Sequence, residues 1–141
     1  MAEPRDPNSG DPTISWPTEA LRQRFSSISS IEAAKILYPN ESDAIPRLEV
    51  LRGEGSLIRL PDGPTWEFPE FQFDFNTGTL IPIVAYANRA MHADTDPWGA
   101  LSLWDTPIRI LAGQTLVEIL LEERLTEKVI DNLLASYRQT M

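Results

Sequence analysis

The run Phe68-Pro69-Glu70-Phe71-Gln72-Phe73-Asp74 constrains what the rest of this chain can fold into. It is the most aromatic stretch in the sequence and it lies near the middle. Phe71, Phe73 and Phe75 alternate with Gln72, Asp74 and Asn76, the two-residue period of a half-buried strand. Trp66 and Phe68 occupy the opposite parity. Pro69 stands between the two registers, so a kink or bulge is expected there. Side chains of this kind belong in a core. The run is therefore expected to join two small subdomains, with Phe71 and Phe73 buried and with Gln72 and Asp74 holding the turn that follows.

The chain has 141 residues, 42% of them hydrophobic, which suits one domain or two very small ones sharing a core. The formal net charge is −9. Residues 1–70 carry 7 Lys/Arg against 12 Asp/Glu, and residues 71–141 carry 5 against 9. The acidity is spread along the chain, so the surface repels phosphate backbones and suits a basic protein partner. There is no cysteine, which removes disulfides, thiolate metal sites and thiol nucleophiles. The single histidine, His92, rules out a histidine-based metal cluster within one chain. No apolar run approaches a membrane span, and the polar amino terminus lacks a signal-peptide core, so a soluble, cytoplasmic protein is expected.

Pro, Asp, Asn, Ser and Gly dominate residues 1–15, the composition of a flexible tail. A first helix is expected from Trp16 to Ile28, with Trp16, Ala20, Leu21 and Phe25 on one face. Ser29 and Glu32 have capping-box spacing and open a second helix that stops at Pro39-Asn40. Ser42-Asp43 is expected to cap a third helix from Ala44 to Arg52, with Ile45, Leu48 and Val50 or Leu51 as its apolar stripe. The two helices read as a helix-turn-helix. Ser56 to Leu60 alternates as a strand, Pro61-Asp62-Gly63-Pro64 is a turn, and Thr65 to Phe68 is the return strand of a hairpin.

Beyond the aromatic run, Asn76-Thr77-Gly78-Thr79 reads as a turn. A helix from Leu80 to Ala93 is expected to bury Ile83, Val84, Ala87 and Met91. Asp96-Pro97-Trp98 pairs an aspartate cap with proline in the first turn and starts a helix ending near Thr106-Pro107. Ile108 to Gly113 is a short apolar connector. Thr115 and Glu118 form a second capping box, and the last helix runs from Thr126 with Val129, Ile130, Leu133, Leu134 and Tyr137 at helical spacing.

No active-site constellation emerges. His92 near Asp94 and Asp96 reads as a solvated helix end, and Glu122-Glu123 with Asp105 reads as surface charge. Nucleophile-elbow and phosphate-loop motifs are absent. A non-enzyme without metal or cofactor is expected. Arg47, Arg52 and Arg59, on or just past the second helix of the pair, are the candidate DNA-contact residues, set among Glu41, Asp43, Glu49 and Glu54. Tyr137, Arg138 and Gln139, past the last packed turn, are the candidate protein-contact residues.

The order of these motifs resembles a known family. Phe-Pro-Glu-Phe-Gln-Phe-Asp at 68–74 is followed by Leu80-Ile81-Pro82, Asp96-Pro97-Trp98, and Leu111-Ala112-Gly113-Gln114-Thr115-Leu116-Val117-Glu118-Ile119-Leu120. This is similar to the Xre/MbcA/ParS-type toxin-binding antitoxins, with Leu116 where the family pattern has proline. Upstream, Glu32-Ala33-Ala34 and Gly55 to Ile58 look like the helix-turn-helix that precedes such domains. The resemblance covers about residues 29–141.

The resemblance implies a mainly α fold. A disordered tail at 1–15 would precede a helix-turn-helix-like unit with a small β-hairpin at 16–67. A C-terminal four-helix toxin-binding-type domain would follow at 68–141. The implied function is neutralisation of an NAD-consuming RES-domain toxin, with the C-terminal domain docked over the toxin active site. The exposure expected of the last turn, and not the resemblance, makes Tyr137, Arg138 and Gln139 the candidate toxin contacts. The implied assembly is a homodimer or hetero-oligomer that also binds its own operator DNA. The alternative is a helix-turn-helix transcriptional regulator without a toxin partner.

Overall fold

The computed structural model describes residues 18–139. The expected tail, Trp16 and Pro17 lie outside them. The described chain is rich in helix and carries two small antiparallel sheets. Residues 18–22 form the first helical stretch, α1. The expected helix to Ile28 ends there, and Ser27–Ser29 is instead strand β1. Its antiparallel pairing with Thr65–Pro69, strand β3, sets Ile28 opposite Phe68. Leu60–Asp62, strand β2, pairs with the other edge of β3 around a two-residue turn at Gly63-Pro64, giving the order β1-β3-β2.

Helix α2, Ser30–Leu37, starts where its capping box predicts: Ser29 Oγ accepts from the Glu32 amide and the Glu32 carboxylate accepts from the Ser29 amide. Helix α3, Ile45–Gly53, does not use Ser42 or Asp43 as a cap. Its N-cap is Ala44, without a side-chain hydrogen bond. Pro46 in the first turn has no amide to satisfy, which reduces the need for one. Of the expected stripe on α3, Leu48 is buried, whereas Ile45 and Val50 are exposed.

The aromatic run does not form one strand. After β3, Glu70–Gln72 is a single 3-10 turn, and only Phe73–Asp74, strand β4, is extended, paired with Thr79–Leu80, strand β5. The turn shifts the side-chain parity expected for a continuous strand. Gln72 is buried and Phe75 is exposed, the reverse of the alternation expectation, while Phe73 is buried and Phe71 half-buried. In the β4–β5 turn, Gly78 has φ +71°, and a Cβ there would lie 2.9 Å from the Ile36 carbonyl. Only glycine lets this turn approach α2 so closely.

The second half holds Pro82–Ala90 (α4), Pro97–Trp104 (α5), Leu116–Leu121 (α6) and Glu127–Gln139 (α7). Helix α4 is shorter than expected, because Leu80 belongs to β5 and His92, at φ +58°, lies past the helix end. Asp96 caps α5 through the Gly99 amide at 3.0 Å, and Thr115 and Glu118 close the box at the start of α6. The connector from Ile108 is not featureless: Arg109–Leu111 forms a 3-10 turn.

Two apolar cores result. The first gathers Ile28, Ala33, Ala34, Ala44, Leu48, Leu57, Phe68 and Phe73 around α2 and α3. The second gathers Val84, Leu101, Trp104, Leu116, Ile119, Ile130 and Leu133 from α4 to α7, and it also takes Ile58 and Leu60 from upstream of the aromatic run. Consecutive residues Leu57 and Ile58 thus enter different cores.

That crossing explains why no strand forms from Ser56 to Arg59. The Gln72 side chain replaces a neighbouring strand. Its Oε1 accepts from the Ile58 amide at 2.8 Å and its Nε2 donates to the Ile58 carbonyl at 3.1 Å. Nε2 also donates to the Pro69 carbonyl at 3.0 Å, and Oε1 accepts from Asn88 Nδ2 at 3.0 Å. Asn88 Nδ2 donates in addition to the Ser56 carbonyl, and Asn88 Oδ1 accepts from Trp104 Nε1 at 2.8 Å. Gln72, Asn88 and Trp104 are buried, so each of these groups would be costly unpaired. Gln72 uses all four of its bonding directions.

Candidate functional site

Three surfaces are candidates. The first carries the arginines singled out for DNA contact. The structure brings Arg52 and Arg59 together on one carboxylate, since both guanidinium groups bond Glu49. Arg59 also stacks over the Trp66 ring, 3.6 Å from its centroid. Its buried Nε has no hydrogen-bond partner among the described residues. Arg52 reaches the Asp94 carbonyl at 3.4 Å. The bond from Arg52 is the main cause that holds the Glu49 carboxyl below the ordinary carboxylate value, aided by the charge of Arg59. Arg47 stands apart from this cluster, paired with Glu41 at 2.8 Å and lying over the Tyr38 ring. All three cations therefore already have carboxylate partners.

The second surface is the end of α7. Tyr137 and Arg138 are exposed on it, and Gln139 closes the helix, its side chain lying outside the described part. The helix is anchored from its middle inward by Ile130 and Leu133, both buried. On its flank, Tyr86 Oη donates to the Asp131 carboxylate at 2.5 Å, which pushes the Tyr86 phenol above its ordinary pKa.

The third surface is one that the sequence reading missed. A groove of about 930 Å³ opens between the aromatic run, the start of α4 and the end of α6. Phe71 lies in it, packed in tilted ring contacts between Phe25 at 5.4 Å and Trp104 at 5.0 Å between ring centroids. Two large apolar side chains flank it and face solvent, Phe75 at 55% exposure and Leu121 at 73%. Among the described residues, the groove is lined by the carboxylate residues Glu70, Asp74 and Glu123, against one cation, Arg24, which is bonded to Asp105. The sequence signal was the phenylalanine count itself. Three phenylalanines in alternation need not all be buried, and the end of β4 at Asp74 leaves Phe75 out.

The enzyme candidates do not converge. Asp105 is engaged by Arg24, Glu122 is engaged by Arg124 and Gln114, and His92 sits in a left-handed turn after α4. Among the described residues no group of three or more His, Asp or Glu side chains is arranged to hold a metal ion. No described helix is long and apolar enough to cross a membrane. Comparison with protein families, with curated proteins and with solved structures finds no match to this chain.

Proposed function

We propose that this chain is an antitoxin-like binding protein that neutralises a RES-domain, NAD-consuming toxin by docking its C-terminal helical part over the toxin active site. In this reading β1, α2, α3 and the β2–β3 hairpin form a helix-turn-helix-like unit, and α4 to α7 form a four-helix toxin-binding-type domain. The observation that carries the reading is the contrast between the two candidate contact surfaces. The arginines that a DNA reader would turn to phosphate are spent on Glu41 and Glu49. The end of α7 lies at the surface, where Tyr137 and Arg138 are exposed. Tyrosine and arginine are side chains that anchor protein interfaces. The net charge of −9 also favours a protein partner over nucleic acid.

The test is co-expression with a RES-domain protein. The expected result is restored growth, preserved cellular NAD and co-elution of the two chains. A toxin that stays lethal with no complex formed overturns the proposal. Within a complex that does form, the pair of substitutions Tyr137→Ala and Arg138→Ala is expected to weaken binding by at least about tenfold.

A further inference from the structure

We propose that the groove beside the aromatic run is a second docking surface, for a segment of another protein that combines apolar side chains with lysine or arginine. It shares no residue with the end of α7 and does not depend on the toxin reading.

The groove offers what such a segment needs. Phe75 and Leu121 are exposed beside Phe71, which is itself held in place by Phe25 and Trp104. Exposed large apolar groups around a concavity mark an interaction site. A preset aromatic floor lowers the ordering cost of binding. The charges select the occupant. The carboxylates of Glu70 and Glu123 make no ion pair or side-chain hydrogen bond among the described residues. That of Asp74 accepts, among the described residues, from the Asn76 and Thr77 amides and from no cation. Arg24, the one cation among the described lining residues, is paired with Asp105. An anionic membrane or a nucleic acid is repelled by this rim. A second copy of the chain, itself at −9, would set acidic surface against acidic rim.

Glu123 adds an independent observation. Its φ is +60°, a left-handed conformation just past the end of α6, where the Arg124 amide donates to the Ile119 carbonyl at 3.0 Å. Glycine is the usual residue at that place in such a cap. A glutamate there keeps a carboxylate at the groove at the expense of backbone strain, and strain of this kind gathers at functional positions.

The probe is a synthetic leucine–lysine amphipathic helix, with a leucine–glutamate counterpart as control. It is added to the isotopically labelled full chain and followed by amide NMR shifts and calorimetry. The expected result is that the leucine–lysine peptide shifts Phe71, Phe75, Leu121 and Glu123, and that the leucine–glutamate peptide does not. Leu121→Ser should weaken binding by at least about tenfold, with an unchanged circular dichroism spectrum. Glu123→Gly should melt a few degrees higher and bind the basic peptide more weakly. Shifts confined to other surfaces, equal binding of the two peptides, or binding indifferent to Leu121→Ser would overturn the proposal. So would sedimentation showing that Leu121→Ser converts a dimer to a monomer, which would make the groove a self-association face. Failure of the toxin co-expression alone would leave this proposal standing.

Discussion

Gln72 and Phe75 lie three positions apart in one aromatic run, and the fold treats them in opposite ways. The glutamine is fully enclosed and the phenylalanine is 55% exposed. Hydrophobicity alone would exchange them. Gln72 is inside because the backbone at Ile58 has no strand to pair with, and a side-chain amide is the one group there that can satisfy both a donor and an acceptor. Phe75 is outside because strand β4 ends at Asp74, so that Phe75, which would have faced inward beside Phe73, falls in the β4–β5 turn. Burial at these two positions follows backbone bonding before hydrophobicity, and an apolar side chain left outside is a clue to binding.

The largest effect that can break this comparison is Gln72→Leu. It leaves the Ile58 amide, the Ile58 and Pro69 carbonyls and one Asn88 bond without their partner. A loss of about 3–5 kcal/mol in urea denaturation is expected, a large part of the stability of a chain this size. A leucine tolerated without loss would mean that the amide network is incidental.

Phe75→Ser is the complementary test. Its ring meets Phe73 at 6.3 Å between centroids but is otherwise largely in water. Unfolding free energy is expected to change by less than about 1 kcal/mol. A loss as large as that for Gln72→Leu would show that Phe75 is part of the core.

The smallest effect sharpens the polar side of the comparison. Glu49 bonds two arginines, yet its side chain is 50% exposed, so solvent screens the cluster. Its pKa is lowered in the folded state by the bonds to Arg52 and Arg59. Its contribution is therefore present above the unfolded value of 4.5 and is lost as pH falls through the lower folded value. Glu49→Gln should flatten the stability–pH curve slightly in that window and cost only a few tenths of a kcal/mol at neutral pH. A cost near that of Gln72→Leu would mean that the surface cluster matters as much as the buried network.

Much of the helical half was legible in the sequence because its start signals are local. Ser29 with Glu32, Asp96 with Pro97, and Thr115 with Glu118 each satisfy amides within a few residues. The β elements were less legible. Strand β1 has three residues and no alternation of its own, and only its pairing to β3 defines it. The candidate arginines could be found by type and position, but the convergence of Arg59 with Arg52 on Glu49 could not, because Arg59 lies ten residues from Glu49 and outside α3. The groove was missed because its walls come from four separated stretches of chain.

The sequence by itself determined where α2, α5 and α6 begin, where the hairpin turns, and that the molecule is acidic. These follow from short-range bonding and from counting. Only the tertiary structure decided that Leu57 and Ile58 part into two cores, that Gln72 stands in for a strand, and that Phe75 and Leu121 stay outside. Those outcomes depend on which distant backbone group needs a partner, and residue order does not state that until the elements have packed.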